Sequence, residues 1–252
     1  MASPTNDKLA VLIDADNAEA SVINELLEEV ALYGTASVKR AYGNWTTPQL
    51  GAWKDVLHEH AIQPMQQFSY TTGKNATDSA LIIDAMDLLH TGHMDGFCLV
   101  SSDSDFTRLA GRIRESGLMV YGFGQKKTPK PFVKACNKFI YTEILKPAPR
   151  KAPVPRRSGQ QAPAQAPVEE GGKEALQDML RSAVLASTRD SGWASLGGIG
   201  NFISKNDPSF DPRNYNFPKL SDLVRNQPYL EMREVPMPDG NPLLQVRIKG
   251  NG

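Results

Sequence analysis

Cys98-Leu99-Val100-Ser101-Ser102-Asp103-Ser104-Asp105-Phe106-Thr107 decides how the rest of the chain is read. An apolar run ends there in two aspartates spaced i, i+2, and a helical pattern follows over 106–115, so a strand delivers carboxylates into a turn. Ser and Asp residues at a helix start accept hydrogen bonds from its unpaired N–H groups, which puts both aspartates at a strand-to-helix corner. In an open α/β sheet the carboxyl ends of parallel strands form the crevice where ligands bind. Other acids that end strands would come to the same edge.

Working outward, short β-type runs alternate with longer helical patterns. Leu9 to Ile13 is a continuous apolar run, as expected of a parallel strand covered on both faces. Over 22–32, Val22, Ile23, Leu26, Leu27 and Val30 recur at helical spacing, with Glu25, Glu28 and Glu29 expected to face solvent. A second strand is expected over 36–42, a helix over 47–60 opened by Thr47-Pro48, and a third strand over 61–68. Thr77-Asp78 opens a long helix whose apolar residues include Ala80, Leu81, Ile83, Ala85, Met86, Leu88 and Leu89, with Asp84 and Asp87 expected to face solvent or pair along the helix. Strands over 96–101 and 118–123, the helix between them, and a last helix and strand over 131–135 and 139–141 complete the pattern. The alternation implies an α/β class: a mostly parallel sheet with helices on both faces.

Composition bounds the setting. A chain of 252 residues with 40% hydrophobic and 22% charged residues is ordinary for soluble protein of one or two domains. Formal net charge is zero, so overall charge does not announce a nucleic-acid partner. No apolar run approaches the roughly 20 residues that span a bilayer, and residues 1–8 lack signal-peptide architecture. Cys98 and Cys136 have neither ligand spacing nor a disulfide framework, so they read as reduced core residues of a cytoplasmic protein with no membrane partner. Residues 147–172 are rich in Pro, Ala, Gln and Gly with almost no large apolar residues, and read as a disordered linker. The expected division is 1–146, a linker over 147–172, and a second domain over 173–252.

Three corners of the first domain carry acids or their amide partner: Ile13-Asp14-Ala15-Asp16-Asn17, Lys74-Asn75-Ala76-Thr77-Asp78, and Asp103 with Asp105. Four or five carboxylates at one edge repel and raise one another's pKa unless a cation neutralises them. Oxygen ligands and few carboxylates suit Mg²⁺ or Mn²⁺. Such a metal polarises a phosphoryl oxygen and activates water, which suits phosphodiester hydrolysis. A single aspartate at a strand end is a good cap and no more; agreement among three corners favours the metal, with Asp16 expected to point away from Asp14. Loops at the same edge carry Trp45, Tyr70, Lys74, Lys126, Lys127 and Lys130. Lysines neutralise phosphates and aromatic faces stack unpaired bases. Trp45 reads equally as a ring packed on the sheet edge, and Lys74 as a partner of Asp78. The four histidines show no zinc spacing and no Ser-His-Asp arrangement.

These residues resemble the NYN domain, a branch of the PIN-like metal-dependent nucleases, over about 8–145. The likeness rests on Leu12 to Asn17, Lys74 to Asp78, Ile83-Asp84-Ala85-Met86-Asp87, and Val100 to Phe106. It implies a PIN-like sheet and a divalent metal that serves RNA cleavage, with Asp14, Asp78, Asp103 and Asp105 holding the metal and Asn17 orienting water or a phosphate oxygen. The family usually has Gly where this chain has Ser102.

In the second domain, helical patterns over 173–186, 196–204 and 219–224 precede strands over 230–235 and 243–248 that flank a hairpin turn at Pro238-Asp239-Gly240-Asn241. Three helices and a β wing make an α+β winged helix. This part resembles the LOTUS domain, also called OST-HTH, through Phe210-Asp211-Pro212-Arg213-Asn214-Tyr215, Phe217 to Val224, and Gly192-Trp193. The resemblance implies RNA binding, single-stranded or structured and in some members G-rich, with Arg213, Tyr215, Lys219 and Arg225 as candidates. A helicase contact, which in that family needs an added C-terminal helix, is not expected. Two alternatives to a tethered endoribonuclease stay open: a non-catalytic RNA-binding scaffold, and a phosphatase with Asp14 as nucleophile, since Asp14-Ala15-Asp16 resembles the Asp-x-Asp of haloacid-dehalogenase-like enzymes. Self-association is also left open.

Overall fold

A computed structural model describes residues 6–68, 76–146, 170–188, 191–236 and 242–249. They fall in two compact units divided after Lys146. In the first, six parallel strands are β1 (Lys8–Asp14), β2 (Thr35–Gly43), β3 (Gln63–Gln66), β4 (Gly96–Val100), β5 (Met119–Gly124) and β6 (Lys138–Tyr141). Their order is β3-β2-β1-β4-β5-β6. Succession runs outward from β1 one way and from β4 the other, so the order reverses between these two strands. Such a switch point leaves a crevice beyond the strands' carboxyl ends. Ile13 pairs with Val100 there, so Asp14 and Ser101 emerge beside each other.

Alternation along the strands explains the apolar runs. Leu9, Val11 and Ile13 enter a core with α1 (Ile23–Val30) and α2 (Trp53–Glu59). Ala10 and Leu12 enter another with α3 (Ala76–Thr91), α4 (Thr107–Glu115) and α5 (Lys130–Ala135). A strand with helices against both its faces has no polar side, hence the continuous hydrophobic stretch. Where β5 passes closest to the β4 corner it carries Gly124; a Cβ there would stand 2.5 Å from the Ser101 carbonyl oxygen.

Several expectations are corrected. The strand expected over 61–68 shrinks to Gln63–Gln66, an edge strand largely exposed and containing Pro64, which has no N–H to donate to a ladder. The helix expected over 47–60 is broken into a 3-10 turn, Pro48–Leu50, and α2. Glu29 does not face solvent: it is buried and accepts a 2.8 Å hydrogen bond from the Tyr33 hydroxyl. Ile83 is 62% exposed, whereas Asp84 turns inward to Arg40 and Tyr42.

The second unit has α6 (Glu170–Ser187), β7 (Ala194–Ser195), α7 (Leu196–Asn206), α8 (Leu220–Arg225), β8 (Leu230–Val235) and β9 (Leu243–Ile248). Its core gathers Leu180, Val184, Ile199, Ile203, Leu223 and Val246. β8 and β9 pair antiparallel as a wing, and β7, not expected from the sequence, adds a third strand on the far side of β9. The stretch read as a linker lies outside the described residues over 147–169, as does the turn at 238–241. No helix among the described residues is long and apolar enough to cross a membrane.

Candidate metal centre and nucleic-acid interface

Each acid reaches the switch-point edge by a different local device. Asp14 is the last residue of β1. Asp103 caps the 3-10 turn Ser104–Phe106, its Oδ1 accepting the Asp105 N–H at 2.9 Å, and that turn leads into α4. Asp78 sits in the first turn of α3, where a negative charge is favoured by the helix dipole. One carboxylate oxygen from each of Asp78, Asp103 and Asp105 lies within 4.8 Å of the others.

Asp14 does not join that trio. It is fully buried, and its Oδ2 accepts from the Ser101 hydroxyl at 2.6 Å and from the Asn17 amide at 2.9 Å. Its Oδ1, also buried, has no hydrogen-bond partner. Burial raises the Asp14 pKa against the pull of these two donors. Burial also pushes the Asp78 carboxyl up to about 6, reinforced by the charges of Asp14, Asp103, Asp105 and Asp16. Asp16 is exposed, and its charge reaches both Asp14 and Asp78. A buried carboxylate oxygen without a donor beside three mutually repelling carboxylates is an environment that a cation relieves. The donors are all oxygen, which fits Mg²⁺ or Mn²⁺.

Two features carry no sequence signature. Ser101 joins the corners: besides donating to Asp14, its Oγ accepts the Asp103 N–H at 3.0 Å. Ser102, where the resemblance led one to expect Gly, accepts the Gln125 N–H at 2.9 Å and so ties this corner to the loop after β5. The second feature is Asp84, which takes hydrogen bonds from Arg40 and from the buried Tyr42 hydroxyl. That clamp fastens α3 to β2, and Tyr42 pairs with Asp14 in the sheet register.

The remaining candidates divide. Lys126, Lys127 and Lys130 are exposed around the loop after β5. Trp45 is half-buried; its indole N–H donates to the Met65 carbonyl at 3.1 Å and its ring meets Trp53 edge-on, though it also lines a cavity of about 340 Å³ with Lys54 and Leu57. Tyr70 and Lys74 lie outside the described residues. A cleft of about 720 Å³ opens from Asp16 toward Ser21, Asn44, Thr47 and Gln49, uncharged hydrogen-bonding groups that the sequence did not single out. In the second unit Arg213 is turned inward, donating from its backbone N–H, Nε and Nη2 to Asp211. Tyr215 packs beside Phe210, and Arg225 lies between Asp222 and Glu234. Lys219 is exposed.

With this geometry in hand, comparison with known proteins gives two family matches. The NYN domain matches residues 8–145 and the OST-HTH/LOTUS domain residues 171–241. No curated protein matches the chain. Among solved structures, a protein of unknown function from Vibrio parahaemolyticus is 20% identical, covering 55% of this chain and 94% of its own, with a TM-score of 0.44. A fragment spanning residues 175–257 of a Chromobacterium violaceum protein is 42% identical over 31% of this chain and 83% of its own, with a TM-score of 0.27. An uncharacterized protein from Nitrosomonas europaea is 28% identical over 42% of this chain and 95% of its own, with a TM-score of 0.29.

Proposed function

The chain belongs to the NYN domain family and carries an OST-HTH/LOTUS domain behind its PIN-like α/β unit, and from that premise we propose that it is a divalent-metal-dependent endoribonuclease with a tethered RNA-binding winged helix. The observation that carries this reading is the convergence of Asp78, Asp103 and Asp105 near the buried Asp14, whose charge reaches Asp78 and whose Oδ1 has no hydrogen-bond partner. Asp78, Asp103 and Asp105 would hold Mg²⁺ or Mn²⁺ directly, with Asp14 as a buried acid whose charge reaches Asp78. The ion, when bound, supplies a Lewis acid for the scissile phosphoryl group and lowers the pKa of the attacking water.

The protein's own groups do the rest. Asn17, exposed beside Asp14 and held by its 2.9 Å bond to Oδ2, is placed to orient water or a phosphate oxygen. Ser101 keeps the Asp14 and Asp103 corners in register. Lys126, Lys127 and Lys130 offer charge to phosphates on one side of the carboxylates, and Asn44, Thr47 and Gln49 in the mixed cleft offer hydrogen bonds on the other. Burial of Asp14 weighs against the Asp-nucleophile alternative, since a nucleophile has to reach its phosphorus. Burial also keeps the thiols protonated, pushing Cys136 up to about 12, and inert thiols suit a cytoplasmic protein.

End-labelled single-stranded and structured RNAs, incubated with Mn²⁺, Mg²⁺ or EDTA, test the reading directly. Cleavage is expected with either ion, none with EDTA, and a loss of roughly a hundredfold or more in Asp103→Asn, which keeps the side chain's size and removes its charge. Intact RNA binding without cleavage under every condition would establish the scaffold instead.

A further inference from the structure

Trp193 is 7% exposed, yet it stands apart from the hydrophobic core of the second unit. It precedes β7, whose Ala194 pairs with Val246 of β9, and both of these are fully buried on the core side. Alternation then turns Trp193, Gln245 and Arg247 to the opposite, outer face of the sheet. Two arginines lie over the indole. The guanidinium carbon of Arg233 lies 4.0 Å, and that of Arg247 4.6 Å, from the indole ring centre.

Both guanidiniums are also held at an edge. Arg233 donates from Nε and Nη2 to the Gln245 side-chain oxygen at 3.0 and 2.8 Å, and Arg247 donates from Nε to Glu231 at 2.7 Å. Both arginines nonetheless remain exposed. Stacking on one plane and a hydrogen bond on one edge remove rotamer freedom in advance, so little ordering entropy is left to lose on binding. Each guanidinium keeps surface toward solvent: Arg233 is exposed, and the Arg247 side chain is 48% exposed. An unpaired base stacks on a guanidinium plane, and the N–H edges match phosphate oxygens. The arginines nearer α8 are otherwise engaged: Arg213 by Asp211, and Arg225 by Asp222 and Glu234.

We propose that the outer face of the β7-β9-β8 sheet, through Arg233 and Arg247 stacked on Trp193, is the surface by which the second unit takes single-stranded RNA. This rests on the reading of that unit as RNA-binding and specifies where the RNA lies. Planar guanidinium faces favour bases over the carboxylates of an acidic peptide, which would use the edges alone.

The test is fluorescence anisotropy of the full chain with a labelled unstructured RNA of about 20 nucleotides, in EDTA and across a salt series. Arg233→Ala with Arg247→Ala should weaken binding roughly tenfold or more and make the salt slope shallower by about 1.4, that is about 0.7 per lost phosphate contact. Lys205→Ala, which removes a charge from the last turn of α7, should change affinity less than about threefold. The Arg233→Lys, Arg247→Lys pair keeps charge and stem over the indole but lacks the plane. It should hold the salt slope, lose affinity severalfold, and lose most of the advantage of the RNA over an abasic strand of equal length. A double alanine variant that melts like the native chain and binds RNA as tightly would overturn the proposal, and so would a lysine pair indistinguishable from native. Because binding is read in EDTA, a chain that binds through these arginines but never cuts RNA refutes the nuclease and leaves this surface standing. A native chain that binds no RNA refutes the surface.

Discussion

Asp78 feels burial first and then four neighbouring carboxylates, and its pKa of about 6 lies well above the ordinary aspartate value. The native state therefore holds this proton more tightly than the unfolded chain does. Its contribution favours folding below the unfolded pKa and is lost as pH rises through about 6. In EDTA, the melting temperature of the native chain should fall between about pH 4.5 and pH 7 relative to Asp78→Asn, which lacks this titration. At neutral pH, Mn²⁺ should raise the native melting temperature and leave Asp78→Asn nearly unmoved. Parallel melting curves for the two proteins across that range would remove the carboxylate field from the account. The acids of this site were legible because each ends a strand or starts a helix, positions that local sequence marks. Ser101 was not: a serine after a strand has no signature of its own, and its hydrogen bond to Asp14 exists only once β1 and β4 lie side by side.

At the scale of elements, α3 carries Asp78 on its first turn and is fastened farther along by Asp84 to Arg40 and Tyr42 on β2. Asp84→Asn keeps the shape but leaves Arg40 without its charge partner and lets the amide accept on one side only. The expected cost is about 2–3 kcal/mol, because both groups are only partly screened by solvent. Urea unfolding measures that cost, and titration with Mn²⁺ measures its consequence. A loosened α3 should weaken metal affinity although Asp84 is not among the converging carboxylates. Unchanged affinity with lowered stability would reduce the clamp to a purely structural pair. Strands buried on both faces were legible from continuous apolar runs, and the winged helix from three helical patterns and a wing. The break between Pro48–Leu50 and α2 was not, since Thr47-Pro48 is as good a start for a 3-10 turn as for a helix. Glu29 and Asp84 read as surface acids because helical spacing shows which face a residue shares, not that Tyr33, Arg40 and Tyr42 will meet it there.

For the molecule as a whole, what matters is where the chain leaves the first unit. Parallel strands all end at one edge, so the segment after β6 starts from the edge that bears the carboxylates. There Lys146 pairs with Glu19 at 2.7 Å, and Glu19 also accepts from the Gln125 amide at 2.9 Å, two residues beyond Asn17 in the chain. Residues 147–169 that follow can span at most roughly 80 Å, at about 3.5 Å for each. On the proposed function, RNA held by the second unit would reach the first at an effective concentration on the order of a millimolar. The tether should act on encounter and not on chemistry. A chain ending at Lys146, which keeps both cores of its unit, should need RNA concentrations roughly ten to a hundred times higher for half-maximal cleavage. Its turnover at saturating RNA should stay within about threefold of the full chain's. Steady-state cleavage over a wide range of RNA concentration separates the two quantities. A truncated chain that lost turnover as severely as affinity would show that the winged helix takes part in the cutting step itself, and the division into a catalytic unit and a delivery unit would have to be abandoned.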